Sequence, residues 1–271
     1  MKRVFINETS NFHSDDEMRV PSDNFKTNYF RMKTTKIQVL IALVVLLFGT
    51  SSCFDDTFIE GNGIVRTEMR DAEGFNEIAS SGDFIVTVMP GNSYSVEISA
   101  ESNLLPYIST NVDGKTLKIR TTGIHSLRQN EPIEIFITTP ALKGLALSGS
   151  GLIKTGSFMS DNFRITVSGS GDIDTQISTE TLKANVSGSG NIFIEGDAFD
   201  SEFVISGSGK IKSYDLEQNI CNAAISGSGD MYVNVSETID ARISGSGRVN
   251  YINYPVVHTS ISGSGKVVDR N

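Results

Sequence analysis

From residue 147 onward, apolar and polar positions alternate in blocks that return every 18 to 20 residues, each block marked by the word Ser-Gly-Ser-Gly at Ser148, Ser168, Ser187, Ser206, Ser226, Ser244 and Ser262. The residue before the word is Leu147, Val167, Val186, Ile205, Ile225, Ile243 or Ile261, and the second residue after it is Ile153, Ile173, Ile192, Ile211, Met231, Val249 or Val267. Both columns are apolar in every copy, with mostly polar positions between them. Alternation with period two marks strands that bury one face. A unit of about 19 residues cannot bury that face alone, so neighbouring units must stack.

The arrangement this predicts is all-β: a right-handed parallel β-helix, or β-solenoid, with one SGSG unit per rung. Each Ile or Val would then lie above its equivalent, roughly 4.8 Å away. An antiparallel meander or sandwich with SGSG as hairpin turns also gives short strands at even spacing. The constancy of the period favours the solenoid, because stacked rungs require it and hairpins do not. If the chain stays extended through the word, both glycines face inward and both serines outward. The pattern leaves open whether the word lies within a strand or at a corner.

Upstream, residues 63–147 also carry strand-like runs, divided by turn signals at Pro90-Gly91, Asp113-Gly114 and Pro140. The stretch Ile78 to Val88 aligns without gaps on Ile225 to Val235, which makes it a degenerate eighth unit. A short helix is expected between Glu101 and Ile108. The region as a whole is expected to begin or cap the solenoid of residues 148–271.

The N-terminal 62 residues read differently. Residues 1–31 show no pattern and precede a second methionine, which points to translation starting at Met32. Lys33 and Lys36 then lead into an apolar run from Val39 to Phe48, too short to anchor in a bilayer, and residues 32–52 are expected to be a signal peptide. Small residues before Cys53 resemble a lipoprotein processing site, with Thr50 where Leu is usual. Cys53 is therefore the expected lipidation site, and residues 53–62 the tether. Membrane lipid is the first expected partner, and multiple acyl chains would suffice for stable anchoring. The expected location is the outer membrane, on its surface or periplasmic side.

Charge and chemistry narrow the function. The 271 residues carry a net charge of −9, and residues 1–52 hold 7 of the 23 Lys/Arg and 5 of the 32 Asp/Glu, leaving 16 against 27 downstream. Nucleic acid is thereby excluded as an expected partner. Beyond Cys53 the only cysteine is Cys221, which is expected to be a buried small residue and leaves no disulfide to form. His125 and His258 have no second ligand at metal spacing and no Ser-His-Asp context. No metal or cofactor is expected.

Parallel β-helices also host polysaccharide lyases and hydrolases, which would need paired carboxylates on adjacent rungs. The residue directly after SGSG runs Leu152, Asp172, Asn191, Lys210, Asp230, Arg248 and Lys266, a column of mixed sign without consecutive acids. A non-catalytic envelope module is the expectation; a polysaccharide-acting enzyme is one alternative to it, and a periplasmic scaffold or sensor is another. The third residue after the word is more suggestive: Phe193, Lys212 and Tyr232 would stack on three successive rungs as a contact surface for a glycan or a protein. The pattern is also compatible with an oligomer.

The run GFNEIASSGDFIVTVMPGNSYSVEISAESNLLPYISTNVDGKTLKIRT, followed by IEIFITTPALKGLALSGSG and the repeated word, resembles the family described as putative auto-transporter adhesin, head GIN domain. The resemblance spans residues 66 to 268. It implies a secreted β-solenoid of the bacterial envelope, often a lipoprotein, with adhesin-like function and no catalytic residues to transfer.

Overall fold

A computed structural model describes residues 58–123 and 126–271; Cys53, the signal peptide, the 1–31 extension and His125 lie outside them. The strands are β1 (Phe58–Glu60), β2 (Val65–Arg70), β3 (Glu77–Ser81), β4 (Ile85–Pro90), β5 (Ser95–Glu101), β6 (Ile108–Asp113), β7 (Thr116–Thr121), β8 (Ser126–Arg128) and β9 (Glu134–Thr139). They continue as β10 (Gly144–Gly149), β11 (Leu152–Gly169), β12 (Asp172–Gly188), β13 (Asn191–Gly207), β14 (Lys210–Gly227), β15 (Asp230–Gly245), β16 (Arg248–Ile252), β17 (Val256–Gly263) and β18 (Lys266–Asp269). No α-helix forms among the described residues, and the Glu101–Ile108 segment holds only a 3₁₀ turn at Leu105–Tyr107.

The two apolar columns of the sequence become the core up to the last coil, where Ile261 is exposed and Val267 only partly buried. Ile153, Ile173, Ile192, Ile211, Met231, Val249 and Val267 are direct neighbours on successive strands, and so are Val167, Val186, Ile205, Ile225, Ile243 and Ile261. Every one of these pairings is parallel, which excludes the meander: hairpins would make adjacent units antiparallel. Coils of about 19 residues stack into a β-solenoid of roughly seven turns. Strands β11 to β15 each run around nearly a whole coil, at 16 to 18 residues apiece.

The SGSG word is the corner between coils. Its first two residues end one strand, and the next strand begins directly after its fourth. The first glycine of each word has a positive φ, +128° at Gly169 and +126° at Gly227, where a side chain is strained. At most corners its carbonyl receives two N–H groups from the next one: Ser170 and Gly171 both donate to Gly149 O, at 3.0 and 2.9 Å, whereas Gly207 O receives Ser228 N alone. The second glycine is buried. A Cβ on Gly229 would lie 2.6 Å from both the Gly209 carbonyl oxygen and Ile205 Cγ2, so this column admits no side chain. The serines stand outside, and among the described residues no hydrogen bond joins their hydroxyls from corner to corner. Main-chain bonds hold the corners.

Some polar groups inside the coils find partners on neighbouring coils, whereas the buried hydroxyls of Ser80 and Ser201 have none. The hydroxyls of Thr155 and Thr175 are 2.7 Å apart on adjacent coils, and Ser213 Oγ donates to Tyr232 O at 2.9 Å. Cys221 is fully buried between Ser201 and Ile239, and burial, with Asp200 nearby, pushes its thiol up to about 12. It is an inert core residue.

The degenerate unit does stack on the repeats, but two residues out of the register expected from the gapless alignment. Ile78 pairs with Leu145, and Ser80 takes the core position of Leu147. Gly82 lies against Gly149 with φ +145°, so it is the first glycine of its corner rather than the second. The second is replaced by Phe84, whose ring is buried. The correction preserves every facing, because a slip of two returns each side chain to the same side of the strand.

Beyond this coil the order of strands departs from the order of the chain. β7 pairs in parallel with β3, and β9 with β4, so the later segment lies outside the earlier one. β9 also pairs antiparallel with β5, β5 with β2, and β6 with β7. The N-terminal end of the solenoid is therefore closed by antiparallel strands. β6 and β7 join through Gly114-Lys115, with Gly114 at φ +62°, as a two-residue hairpin requires at its first central position.

Glu101, at the end of β5, ties this end together. Its buried carboxylate accepts hydrogen bonds from Gly63 N (2.5 Å), Asn130 N (2.8 Å), Asn130 Nδ2 (3.3 Å) and Glu131 N (3.5 Å). Burial alone would raise its pKa, but these donors outweigh burial and hold the carboxyl below its ordinary range. A carboxyl depressed in the folded state stabilises the fold above the unfolded-state pKa, and that contribution is lost as the pH falls through the folded value. Thermal melts from pH 7 to pH 3 should show Glu101→Gln less stable than wild type at neutral pH and less sensitive to acid. Parallel pH profiles for the two proteins would rule the clip out.

Candidate binding face

One side of the solenoid is a continuous sheet in the order β2, β5, β9, β4, β11, β12, β13, β14, β15, β16, β18. The third residue after each corner lies in one row across it. Starting from the N-terminal end, the row is Met69, Glu97, Phe136, Thr87 and Lys154. It continues through Asp174, Phe193, Lys212, Tyr232, Asn250 and Val268. From Glu97 on β5 to Tyr232 on β15 alternation sends these side chains outward, because their neighbours along the strand face the core; β2 and β18, at the two ends of the row, have no such buried neighbours on both sides.

Phe193, Lys212 and Tyr232 thus occupy adjacent strands in the expected order. The Lys212 ammonium lies over the Phe193 ring, 4.7 Å from its centroid, a cation–π contact. The Tyr232 and Tyr214 rings pack T-shaped, with centroids 5.6 Å apart and planes at 84°. Lys212 is exposed, and both flanking aromatics are half-buried. Tyr214 joins the group because it stands two residues after Lys212 on the same face, which the alternation signalled although the column following the corner did not include it. Burial raises the Tyr214 phenol, partly offset by Arg270. Asn250 breaks the row's exposure: it donates to Met231 O and accepts from Arg270 Nε at 3.1 Å, and it is buried.

The column directly after the corner is also in register, so Lys210, Asp230, Arg248 and Lys266 are successive neighbours. The ion pairs formed within 4 Å among the described residues are Arg70–Glu68, Lys118–Asp113 and Lys183–Glu202, and none involves this column. Asp172 has a structural task, accepting from Asn191 N and Nδ2 at 3.0 and 2.8 Å. His258 is exposed on β17, opposite Asp240.

Away from this face, a depression of about 540 Å³ opens at another bend of the coils, lined by Met159, Asp161, Glu180, Phe199 and Glu217. It is broad and open to solvent, and no group of three or more His, Cys, Asp or Glu among the described residues is placed to hold a metal ion.

A family model described as "Putative auto-transporter adhesin, head GIN domain" matches residues 74–255, two thirds of the chain. The chain belongs to this family. Its head GIN domain is also similar to solved structures. A putative adhesin from Bacteroides fragilis NCTC 9343 is 25% identical, with a TM-score of 0.75 over 78% of this chain and all of that one. A putative lipid binding protein from Parabacteroides distasonis ATCC 8503 (24% identical, TM-score 0.68, 79% and 100% covered) shares the fold. So does a putative adhesin from Parabacteroides merdae ATCC 43184 (20% identical, TM-score 0.63, 79% and 100% covered). Among proteins with curated functions, none matches the chain. For the head GIN domain these comparisons establish family and fold; its chemistry has to be argued from the face itself.

Proposed function

We propose that the chain is a non-catalytic, adhesin-like binding module of the bacterial cell envelope, held to the outer membrane by acyl chains on Cys53. The observation that carries this reading is the rigid outward row that sets Phe193, Lys212 and Tyr232 side by side on three in-register strands. A flat, fixed array of aromatic and cationic groups suits contact with an extended partner, whereas chemistry on a small substrate calls for an enclosed site with convergent acid and base. Membership of an adhesin-named family supports the same role and a place at the cell envelope.

The test is made on cells. Wild type should incorporate labelled palmitate and stay with the outer membrane, and Cys53→Ala should do neither. Phe193→Ala with Tyr232→Ala, correctly anchored, should lower adherence to glycan- or matrix-coated surfaces several-fold. Equal labelling of the wild type and Cys53→Ala would end the lipoprotein reading, and unchanged adherence of the double variant would end the role of this face.

A further inference from the structure

The binding face changes sign along its length. On β11 and β12 the first two outward positions after the corner hold Leu152, Lys154, Asp172 and Asp174, a net negative group. On β14, β15, β16 and the run beginning at β18, Lys210, Lys212, Arg248, Lys266 and Arg270 outnumber the nearby carboxylates: Asp230 stands among them, and Asp269 lies at the end of β18 beside Arg270 and Tyr251. Strands about 4.8 Å apart place these five cations within roughly 15 Å across the sheet. None of the five forms an ion pair within 4 Å among the described residues. The chain as a whole is acidic, at −9. A concentration of uncompensated positive charge on such a protein opposes its own general field.

We propose that this half of the face binds an anionic polysaccharide, one bearing sulfate or carboxylate groups along its length. The inference rests on the binding-face reading above and assigns its ligand class. Both halves of the ligand's chemistry are answered here. Lysine and arginine heads pair with sulfate or carboxylate, while Tyr232 and Phe193 offer ring faces to the C–H side of a sugar. Lys212 couples the two: its ammonium sits on Phe193 in the free protein, and transfer to a ligand anion uncovers the ring. A neutral glycan would leave the five cations unused. The acidic remainder of the protein repels a polyanion everywhere else, so the ligand is steered to this patch.

Dextran sulfate and dextran share a backbone and differ in charge, which makes them the direct comparison, with polygalacturonate as the carboxylate probe. The purified protein should bind dextran sulfate and polygalacturonate and not dextran, with affinity that falls as salt rises. Lys212→Glu with Lys266→Glu should weaken binding at least tenfold while melting like wild type. Asp230→Asn, which removes the carboxylate between Lys210 and Arg248, should tighten binding several-fold. Equal binding of dextran, or indifference to both sets of substitutions, would overturn the proposal. Equally tight binding to phosphatidylglycerol vesicles or duplex DNA would also overturn it, as a patch that takes any polyanion. If the charge variants change nothing while Phe193→Ala with Tyr232→Ala still lowers adherence, only the ligand class falls and the adhesin reading stands.

Discussion

Ile225→Asp should destabilise the protein by roughly 4 kcal/mol or more, enough to unfold most of it at moderate temperature. Ile225 is 2% exposed and stacked directly between Ile205 and Ile243 on the neighbouring coils. An aspartate there puts a carboxylate into an aliphatic column, with apolar side chains above and below and no cation to pair with. Ser208→Ala is the matched control: Ser208 is exposed at the corner, its role in the corner bond is played by its backbone N–H, and the change should stay within about 0.5 kcal/mol. Urea denaturation of the three proteins checks both statements. Equal midpoints for wild type and Ile225→Asp would mean that the inward face has been misassigned.

The corner supplies the second large effect. Gly227 has φ +126°, and a Cβ there would lie 3.2 Å from the main-chain carbon and nitrogen of Gly207 and closer still to its carbonyl oxygen. Gly227→Val combines a strained backbone with a clash against a neighbour that cannot move without shifting its own coil, and should cost about 3 kcal/mol or more. Gly227→Ala should fall between wild type and valine, because it meets the same clash with less bulk. A graded series, wild type above alanine above valine, is the expected order of melting temperatures. If valine melts with wild type, the corners do not pack against one another as described.

These two positions show what was legible in the sequence. The stacked core could be read directly, since a fixed period with apolar residues at Ile205, Ile225 and Ile243 has one economical solution. Whether the word between them is strand or corner could not be read, because both conformations put the glycines inside and the serines outside. Periodicity is equally blind to a slip of two, which is why the Ile78 to Val88 unit was placed in the wrong register. The actual register puts the polar Ser80 in a core column, a choice no hydrophobic pattern would suggest. Glu101 was hidden for a different reason: its donors come from Gly63, Asn130 and Glu131, far from it in sequence, so a buried acceptor looked like one more charged residue at a strand end. On the binding face, alternation located Phe193, Lys212 and Tyr232, whereas the burial of Asn250 beneath Arg270 depends on a side chain arriving from a different coil.

The out-of-sequence order of the first coils makes the two ends of the solenoid mechanically unlike. From β10 onward each turn rests on the one made just before it, so the C-terminal turns can peel away, or be gained and lost in evolution, one at a time without disturbing the rest. At the other end, β9 is inserted between β4 and β5, and β3 waits for β10, a partner more than sixty residues further along. That interlocked part cannot be undone strand by strand. Pulled from its ends, the molecule should unravel from the C-terminal side in small, even steps and then resist, giving way last and all at once where strands from distant parts of the chain are interleaved.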